Sequence, residues 1–350
     1  MTITNIPNIS SKQRKTIAIV TNSCWNIYNF RQELIRDLQQ KGYKILVIAP
    51  VDEYVHYLNK MSALQHIPIT KLQAHSRSIN KDLKLLIELQ RVYRKYKPDL
   101  ILHFTIKPNI YGSIAASSLG IPSIATITGL GRSFLQAGWM TFLVGKLYKF
   151  AFRKIPQVLF HNPDDKDIFI RNQWLKPKKG IVVNGSGLNT TFYRPRKKPE
   201  TGKFIFLFVG RLLNDKGIRE FLQCSQYLQE VTERGACWVV GELDPQNPDT
   251  VNKQLLLEAI QKRHVRYFGK VSDVRSFIEK VDVVVLPSYR EGMPRAILEA
   301  MSMGKPIITT DSAGCRQTIN PTVKNGLLVP TRDTIALGQA MLQLYQCNEE

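Results

Sequence analysis

The chain has 350 residues, 43% of them hydrophobic, and a formal net charge of +21. That length suits two domains rather than a single core, and the composition excludes a disordered or low-complexity chain. The five cysteines form no Cys-x-x-Cys pair, which argues against a zinc site or a disulfide framework and favours a reducing cytoplasm.

Apolar strands alternate with amphipathic helices in the first half of the chain. This alternation predicts a parallel sheet with helices on both faces. The predicted strands are residues 17–21, 44–49, 100–104, 123–126 and 158–160, and the predicted helices are residues 30–41 and 81–95. No stretch approaches the ~18 apolar residues of a membrane-spanning helix, and residues 1–15 lack the apolar core of a signal peptide.

A helix predicted over residues 139–155 combines apolar and basic side chains. Its predicted apolar face consists of Phe142, Leu143, Leu147, Phe150 and Ala151, and the cations that flank it are Lys146, Lys149, Arg153 and Lys154. This pattern is typical of a helix that lies in a membrane interface. A helix that packs on the core while its cationic side chains reach back to water has the same pattern, so both interpretations stay open.

The basic charge is concentrated in the first half of the chain. Residues 1–190 contain 27 Lys and Arg and 10 Asp and Glu, whereas residues 191–350 contain 22 and 18. A positive field of this kind attracts nucleic acid, or an anionic membrane with its phosphorylated lipids. Simple solubility is the third explanation that the charge allows.

The segment Asp165-Lys166-Asp167 has the Asp-x-Asp form of a metal-binding motif. It follows Asn162-Pro163 and opens an apolar-periodic segment, so capping of a helix N-terminus and compensation of the helix dipole are enough to explain it. No other cluster of acids or histidines suggests a metal site. We therefore predict that the activity of the protein does not need a metal ion.

The alternation of strands and helices starts again at residue 204. The predicted strands are residues 204–209, 237–240, 265–268, 281–286 and 307–309, and a last helix is predicted from near residue 334. Between the two halves, residues 193–200 are too rich in proline and charge to belong to a core. We predict two doubly wound Rossmann-like α/β domains, residues 1–192 and 193–350, that face each other across a ligand-binding cleft.

Glu291 and Glu299 stand on either side of a predicted helix start, directly after an apolar strand. Pro294 suits the first turn of that helix, because its missing N–H costs nothing there. The free N–H groups of such an N-terminus, those of Arg295 and Ala296 among them, form an anion site suited to a diphosphate. Spacing alone favours the plainer explanation, a loop acid followed by a solvated helix acid.

Sequence motifs along nearly the whole chain resemble glycosyltransferase family 4. The matching segments are residues 22–26, 104–112 and 126–131 in the first half, and residues 204–217, 304–308 and 325–330 in the second. The first-half motifs resemble the branch that adds a sugar to a polyprenyl-diphosphate-linked saccharide, which includes enzymes of bacterial glycan, capsule and O-antigen assembly. The resemblance implies the GT-B fold, with an acceptor-binding first domain and a donor-binding second domain.

The resemblance also implies roles for individual residues of the second domain. Arg211 and Lys216 match the family's cations that stabilise the leaving nucleoside diphosphate. Glu291 is expected to hold the donor sugar and Glu299 its ribose. The full set of predicted donor-binding residues is Glu299, Arg295, Ala296, Met293, Gly292, Phe268 and Gly210. Gln317 is a departure, because the family often has an acid at this position.

The acceptor side lacks the histidine that many family members carry, because Thr128 stands at that position. His103 ends a predicted strand and is a candidate for a catalytic role, with a purely structural role as the alternative. Retaining transfer can also proceed without a protein base if the departing phosphate oxygen takes the acceptor's proton. Lys107, Gly129 and Gly131 are then expected to position the donor phosphate and the acceptor together with Thr128.

These observations predict a metal-independent, retaining glycosyltransferase that uses no cofactor. It is expected to move a hexose or N-acetylhexosamine from a UDP-sugar to a polyprenyl-diphosphate-linked saccharide. We expect it in the cytoplasm, peripheral on the inner face of the cytoplasmic membrane, with an anionic lipid surface and no nucleic acid among its partners. The alternatives are a UDP-sugar epimerase of similar architecture and a basic nucleic-acid-binding protein. A dehydrogenase is disfavoured because no complete Gly-x-Gly-x-x-Gly is present.

Overall fold

The computed structural model describes residues 14–72, 78–131 and 139–347. The chain divides into two compact units, residues 1–126 with 150–158 and residues 127–149 with 159–350. The domain boundary predicted between residues 192 and 193 remains a prediction. Within the described ranges, no helix is both long enough and apolar enough to cross a membrane.

The strands form two parallel, doubly wound sheets, which confirms the predicted fold class. They are β1 (Thr16–Val20), β2 (Lys44–Ala49), β3 (Leu64–Pro68), β4 (Leu100–Phe104), β5 (Ser123–Ile127), β6 (Val158–Phe160), β7 (Gly180–Val182), β8 (Phe204–Val209), β9 (Gly235–Val240), β10 (Arg266–Tyr267), β11 (Val283–Leu286), β12 (Ile307–Thr310) and β13 (Gly326–Val329). The orders are β3-β2-β1-β4-β5-β6-β7 and β10-β9-β8-β11-β12-β13. In each sheet the numbering of the strands changes direction once, between β1 and β4 and between β8 and β11. Open α/β sheets bind their ligands at such switch points.

The helices connect successive strands, as a parallel sheet requires. They are α1 (Cys24–Phe30), α2 (Gln32–Gln40), α3 (Val55–Asn59), α4 (Ile79–Tyr96), α5 (Ser113–Ser118), α6 (Trp139–Ala151), α7 (Pro163–Arg171), α8 (Ile218–Val231), α9 (Lys253–Gln261), α10 (Arg275–Ile278), α11 (Arg295–Ser302) and α12 (Thr334–Gln346). The helix predicted over residues 30–41 is divided at Arg31, whose φ of −126° is not helical. The Arg31 guanidinium lies 3.9 Å from the centroid of the Phe104 ring, a cation–π contact made where the helix breaks.

The core of each unit follows from the strand pattern. Alternate residues of β1 enter two different buried clusters, Val20 with Leu89 of α4 and Ile19 with Ile27 of α1. Successive side chains of a strand point to opposite faces, so helices must cover this sheet on both sides. In the second sheet, β8 is buried along its whole length, and its sequence is therefore an uninterrupted apolar run.

Helix α6 exposes part of the apolar face that the sequence predicts. Phe142, Leu143 and Phe150 are 63%, 45% and 63% exposed, and Lys146 Nζ lies 5.0 Å from the centroid of the Phe142 ring. Ala151 is a correction to that prediction, because it is buried rather than part of the exposed face. The helix also ends at Ala151, four residues before the predicted end. The exposed face combines aromatic and basic side chains and does not pack on the core.

Candidate active site

Glu291 lies in the loop between β11 and α11, and two side chains hold its carboxylate. Lys216 Nζ is 2.7 Å from Oε1 of Glu291, and the Ser288 hydroxyl donates to the same oxygen at 3.0 Å. Only 17% of each partner's side chain in the Lys216–Glu291 pair is exposed. Burial alone would lower the pKa of Lys216, but the attraction of Glu291 and Asp215 outweighs it and raises the pKa. The lysine is therefore held in its charged form.

The turn that carries Lys216 packs directly against the loop that carries Glu291. The Tyr289 N–H donates to the Asp215 carbonyl at 2.8 Å. Gly217 has a φ of +74°, and a Cβ at this position would lie 2.2 Å from the Pro287 carbonyl oxygen. Only glycine permits both the left-handed conformation and this close approach.

Gly210, Arg211 and Phe268 lie just beyond the carboxyl ends of β8 and β10. Arg211 is exposed, and it lies near enough to Lys216 for its positive charge to oppose protonation of that amine. The Phe268 ring is partly buried, and the Arg266 guanidinium lies 4.8 Å from its centroid. The predicted donor-binding residues Gly210 and Phe268 and the predicted catalytic residue Arg211 therefore occupy strand ends on the ligand-binding edge of the sheet.

The backbone around Gly292 makes a close contact with residues predicted for the acceptor side. A Cβ on Gly292 would lie 1.8 Å from the Thr128 carbonyl oxygen, and one on Gly129 would lie 2.8 Å from the nitrogen of Gly292. Gly129 also has a φ of +126°. The neighbouring Met293 side chain reaches Gly185, where an added Cβ would lie 2.8 Å from the Met293 Cγ. The structure thus brings Thr128 and Gly129 beside the Glu291 loop.

Helix α11 begins at Arg295, with Pro294 as its N-cap. This corrects the prediction that Pro294 lies in the first turn, because its ψ of 111° is extended. The Ile297 and Leu298 N–H groups donate to the Pro294 carbonyl at 3.1 and 3.2 Å. The N–H groups of Arg295 and Ala296 precede these first helical bonds, which is the arrangement that binds anions.

Glu299 lies inside α11 and is already ion-paired. Arg295 Nε donates to Oε1 of Glu299 at 2.9 Å, and Glu299 is only 8% exposed. Burial raises the pKa of Glu299, although Arg295 opposes that shift. A ribose at this carboxylate would have to share it with Arg295.

Asn162 is a residue of this site that the sequence identifies only as a helix cap. Its Oδ1 accepts from the Asp165 N–H at 2.8 Å and so caps α7. Its Nδ2 donates to the Gly292 carbonyl at 2.8 Å, and less closely to the Glu291 carbonyl at 3.3 Å. One amide therefore joins the start of α7 to the loop that carries Glu291.

Asp165 of the Asp-x-Asp segment and its neighbour Asp164 form ion pairs and hydrogen bonds. Asp165 is fully buried and pairs with Arg290, and Asp164 accepts from Arg316 at 2.7 Å. Gln317 also donates to Asp164, at 2.8 Å, so the acid common in the family would here repel Asp164. Within residues 14–72, 78–131 and 139–347, no group of three or more His, Cys, Asp and Glu side chains is arranged to hold a metal ion.

His103 is completely buried, which argues against the direct catalytic role considered from the sequence. Its Nε2 lies 3.0 Å from the Tyr93 hydroxyl and its Nδ1 lies 3.4 Å from the Ser113 hydroxyl. A Cβ on Gly112 would lie 2.6 Å from the imidazole ring, so the ring fills its pocket. Burial lowers the pKa of His103 to about 3, which keeps the ring neutral.

The burial of His103 predicts a specific loss of stability in acid. The unfolded chain protonates this histidine near its ordinary pKa of about 6.5, whereas the folded chain resists down to about 3. Between these values the unfolded state binds more protons, so folding stability falls by ~1.4 kcal/mol per pH unit as the pH decreases. Chemical denaturation at several pH values should show this slope in the wild type and a smaller one in His103→Leu. Equal slopes would contradict the assignment.

Two further predicted residues are Lys107 and Gly131. Lys107 Nζ is 2.7 Å from Asp82 Oδ1, and the Tyr111 hydroxyl donates to the other oxygen of Asp82 at 2.8 Å. This carboxylate already compensates the charge that Lys107 would offer to a phosphate. Gly131 is exposed with a φ of +62°. Its role in positioning the acceptor stays a prediction.

Two family models match the chain, one in each half. The model described as Glycosyl transferase 4-like matches residues 17–162, and the one described as Glycosyl transferases group 1 matches residues 203–347. Together the two matches span most of the chain. The chain therefore belongs to the glycosyltransferases that these two models describe.

Individual relatives extend this similarity along the chain. It is 28% identical over 349 residues to the N,N'-diacetylbacillosaminyl-diphospho-undecaprenol alpha-1,3-N-acetylgalactosaminyltransferase of Campylobacter jejuni, covering 94% of this chain and 89% of the relative. It is 29% identical over 283 residues to the UDP-Gal:alpha-D-GlcNAc-diphosphoundecaprenol alpha-1,3-galactosyltransferase of Escherichia coli, covering 76% and 71%. Anabaena HepE in complex with UDP and glucose has a TM-score of 0.75 at 18% identity, covering 95% of this chain and 90% of that one, which shows the shared GT-B fold.

Proposed function

We propose that the protein is a retaining glycosyltransferase that moves a hexose or N-acetylhexosamine from a UDP-sugar to a polyprenyl-diphosphate-linked saccharide. Two relatives are named for the transfer of N-acetylgalactosamine or galactose to saccharides on diphospho-undecaprenol. Both names specify an alpha-1,3 product. The UDP derivatives of these sugars are themselves α-linked, so an α product corresponds to retention. Galactose-configured donors are therefore the first to test.

The observation that carries this proposal is the Lys216–Glu291 pair beside the start of α11. Negative charge grows on the diphosphate as its bond to the sugar breaks, and fixed positive groups stabilise that state more than the ground state. Lys216 is fixed by Glu291, and Arg211 is exposed at the end of β8. The first N–H groups of α11 add the partial positive charge of a helix N-terminus.

Within the described part of the chain, one carboxylate oxygen of Glu291 has no hydrogen-bond partner and is left for the donor sugar. Lys216 and Ser288 both contact Oε1, which leaves Oε2 to accept a hydrogen bond from a sugar hydroxyl. Glu291 therefore serves two functions in this proposal. It holds the ammonium of Lys216 in place through one oxygen and orients the sugar through the other.

The acceptor hydroxyl must lose a proton during transfer. Thr128 has no basic nitrogen, and His103 is buried between Tyr93 and Ser113. We assign the proton to the leaving group. As the bond between the sugar and UDP breaks, the departing β-phosphate oxygen takes the proton of the acceptor hydroxyl. The acceptor oxygen then forms the new glycosidic bond on the face of the sugar that UDP leaves.

A transfer assay with defined products tests this function. UDP-sugars of galactose, N-acetylgalactosamine, glucose and N-acetylglucosamine are incubated with short polyprenyl-diphosphate saccharides, and NMR determines the anomeric configuration of the product. We expect an α-linked product at an undiminished rate in EDTA, because Arg211 and Lys216 neutralise the diphosphate. A β-linked product would refute retention, and loss of activity in EDTA would refute metal independence. Conversion of a UDP-sugar without acceptor would identify an epimerase.

We further propose that the protein binds the inner surface of the cytoplasmic membrane through α6. A lipid-linked acceptor is fixed in the membrane, so an enzyme that uses it must reach that surface. The exposed aromatic side chains Phe142 and Phe150 stand beside Lys146 and Lys149, the combination found on interfacial helices. The positive charge of the first half of the chain favours anionic lipids.

Flotation with anionic liposomes tests this surface. The double variant Lys146→Gln/Lys149→Gln removes two exposed cations, and we expect about 30-fold weaker partitioning, at ~1 kcal/mol per cation. The matched control is Lys253→Gln/Lys262→Gln, which removes two exposed cations near the ends of α9. Equal binding by both double variants would show that net charge alone, rather than α6, mediates the association.

A further inference from the structure

The segment that precedes β8 is attached to α11, the helix that carries Glu299. The carbonyl of Asn189 accepts from the Phe192 and Tyr193 N–H groups at 3.1 and 3.0 Å, so the chain turns here. Ser302, the last residue of α11, donates its hydroxyl to the Tyr193 carbonyl. The Tyr193 ring is partly buried against the core of the second unit. Both the backbone and the ring therefore fix Tyr193 beside α11.

The neighbouring Phe192 gives this segment another attachment. The Arg275 guanidinium lies 3.5 Å from the centroid of the Phe192 ring, and it donates to the Phe192 carbonyl at 3.4 Å. Asp273 pairs with the same guanidinium at 2.6 Å. Phe192 is 49% exposed, so the cation–π contact holds the segment without burying it. The position of Tyr193 is thus determined on two sides, by α11 and by Arg275.

The Tyr193 hydroxyl is hydrogen-bonded to the Glu299 carboxylate. Arg295, which donates to Oε1 of Glu299 at 2.9 Å, has its guanidinium 6.0 Å from the centroid of the Tyr193 ring. Burial and the nearby charge of Glu299 raise the pKa of Tyr193 to about 12, so the phenol keeps its proton and can donate it in a hydrogen bond. Two donors from different parts of the chain therefore orient one buried carboxylate.

The attachment of the segment does not depend on the Tyr193 hydroxyl. A phenylalanine would keep the ring and the Ser302 contact, so the hydroxyl adds only its bond to Glu299. That bond opposes the rise in the pKa of Glu299 that burial causes, which favours the ionised carboxylate. An ionised carboxylate is the stronger acceptor and has about four acceptor sites. It can therefore accept from the hydroxyls of a ligand in addition to Arg295 and Tyr193.

The position of Glu299 on α11 indicates which hydroxyls reach it. The first N–H groups of α11 form the anion site, and Glu299 lies four residues after Arg295, about 6 Å further along the helix. A nucleoside diphosphate that binds this N-terminus through its phosphates also carries two adjacent ribose hydroxyls. One carboxylate can accept from both of them. A 2′-deoxynucleotide offers only one of the two.

We propose that Tyr193 is a positioning residue for the nucleotide, and that it holds Glu299 in the orientation that accepts from the ribose 2′- and 3′-hydroxyls. The inference rests on the proposed use of a UDP-sugar. It makes the protein selective for ribonucleotide donors over 2′-deoxyribonucleotide donors. Tyr193 acts through Glu299 and not on the reacting atoms.

Calorimetric titration of the full chain with UDP and with 2′-deoxy-UDP tests this proposal without any transfer reaction. We expect the wild type to bind UDP about tenfold more tightly than 2′-deoxy-UDP, because a hydrogen bond to a charged group is lost. In Tyr193→Phe, which removes only the hydroxyl, this preference should fall to about threefold or less. The matched control is Tyr227→Phe, which removes the hydroxyl of a tyrosine 45% exposed on α8 and should keep the wild-type preference.

A double variant tests whether Tyr193 acts through Glu299. Glu299→Gln removes the charge and should itself reduce the preference for UDP. Adding Tyr193→Phe to Glu299→Gln should then change the affinity for UDP by less than about twofold, because the residue that Tyr193 positions is already altered. An additive loss would show that Tyr193 contacts the nucleotide itself and would overturn the positioning role.

The remaining outcomes separate failure of this inference from failure of the proposed function. An unchanged preference for UDP in Tyr193→Phe overturns the inference, and so does the absence of any preference in the wild type. An equal loss of affinity for both nucleotides also overturns it, because Tyr193 would then only maintain the fold of the site. If the expected preferences are measured but no sugar is transferred to any acceptor, the role of Tyr193 stands and the transferase function is refuted.

Discussion

Replacing Lys216 by methionine is expected to lower kcat/KM for sugar transfer by about 10²- to 10³-fold. The substitution keeps the volume of the side chain and removes the ammonium that lies 2.7 Å from Glu291. A fixed charge that stabilises a leaving group in a shielded site contributes effects of this size. The loss should appear mainly in kcat, because the charge on the diphosphate grows only as the bond breaks. Steady-state kinetics with a lipid-linked acceptor measure it.

Lys198→Met is the matched control for this experiment. Lys198 pairs with Asp282 at 2.6 Å, and both side chains are largely shielded from solvent. Asp282 also accepts from the Ile205 N–H near the start of β8, so this pair lies at the amino end of the strand, opposite to the ligand-binding end. We expect the kcat/KM of Lys198→Met to stay within about twofold of the wild type, because the ion pair that it removes does not lie at the ligand-binding edge of the sheet. A similar loss in both variants would show that Lys216 acts through general stability rather than through the leaving group.

The two members of the pair should also be coupled. Glu291→Gln keeps a hydrogen-bond acceptor for Ser288 but removes the charge that holds Lys216. If the two residues act as one unit, the double variant should be little worse than the poorer single variant. Independent, additive losses would contradict the shared function proposed for them.

The central strands could be predicted from the sequence, whereas several edge strands could not. β8 is buried on both faces, so it reads as a continuous apolar run. The sequence does not predict β3, β7 or β13, which lie at the edges of the two sheets. Edge strands are only partly covered, so their residues need not be apolar. Pro68, at the end of β3, also weakens the strand pattern, although an edge position tolerates proline.

The candidate site shows the same division between local and distant signals. Lys216 and Glu291 each follow a recognisable strand, and the resemblance to the family identifies both. Asn162 and Arg290 carry no such signal, because their partners lie 130 and 125 residues away along the chain. His103 is the converse case. Its position at a strand end indicates a ligand edge, but Tyr93, from another element, contributes to its burial.

Replacing Arg290 by methionine is expected to destabilise the second unit by about 3–5 kcal/mol. Asp165 is completely buried and pairs with Arg290, so the substitution leaves a carboxylate without its cation in a shielded position. Breaking a buried pair by removing one partner has a cost of this order. The measurement is urea denaturation followed by intrinsic fluorescence. Arg316→Met is the control, because its pair with Asp164 is 41% and 28% exposed and should contribute less than about 1 kcal/mol.

The double variant Asp165→Asn/Arg290→Met decides why Arg290→Met is unstable. Asparagine keeps the backbone N–H that Asn162 caps and removes the buried charge, so we expect much of the lost stability to return. If the double variant is as unstable as Arg290→Met, packing of the guanidinium is responsible rather than charge. A double variant that folds stably also separates an effect on the position of the Glu291 loop from an effect on stability. Arg290 adjoins Glu291, so a folded double variant with low kcat and unchanged KM for the UDP-sugar would show that this pair holds the Glu291 loop in its catalytic position.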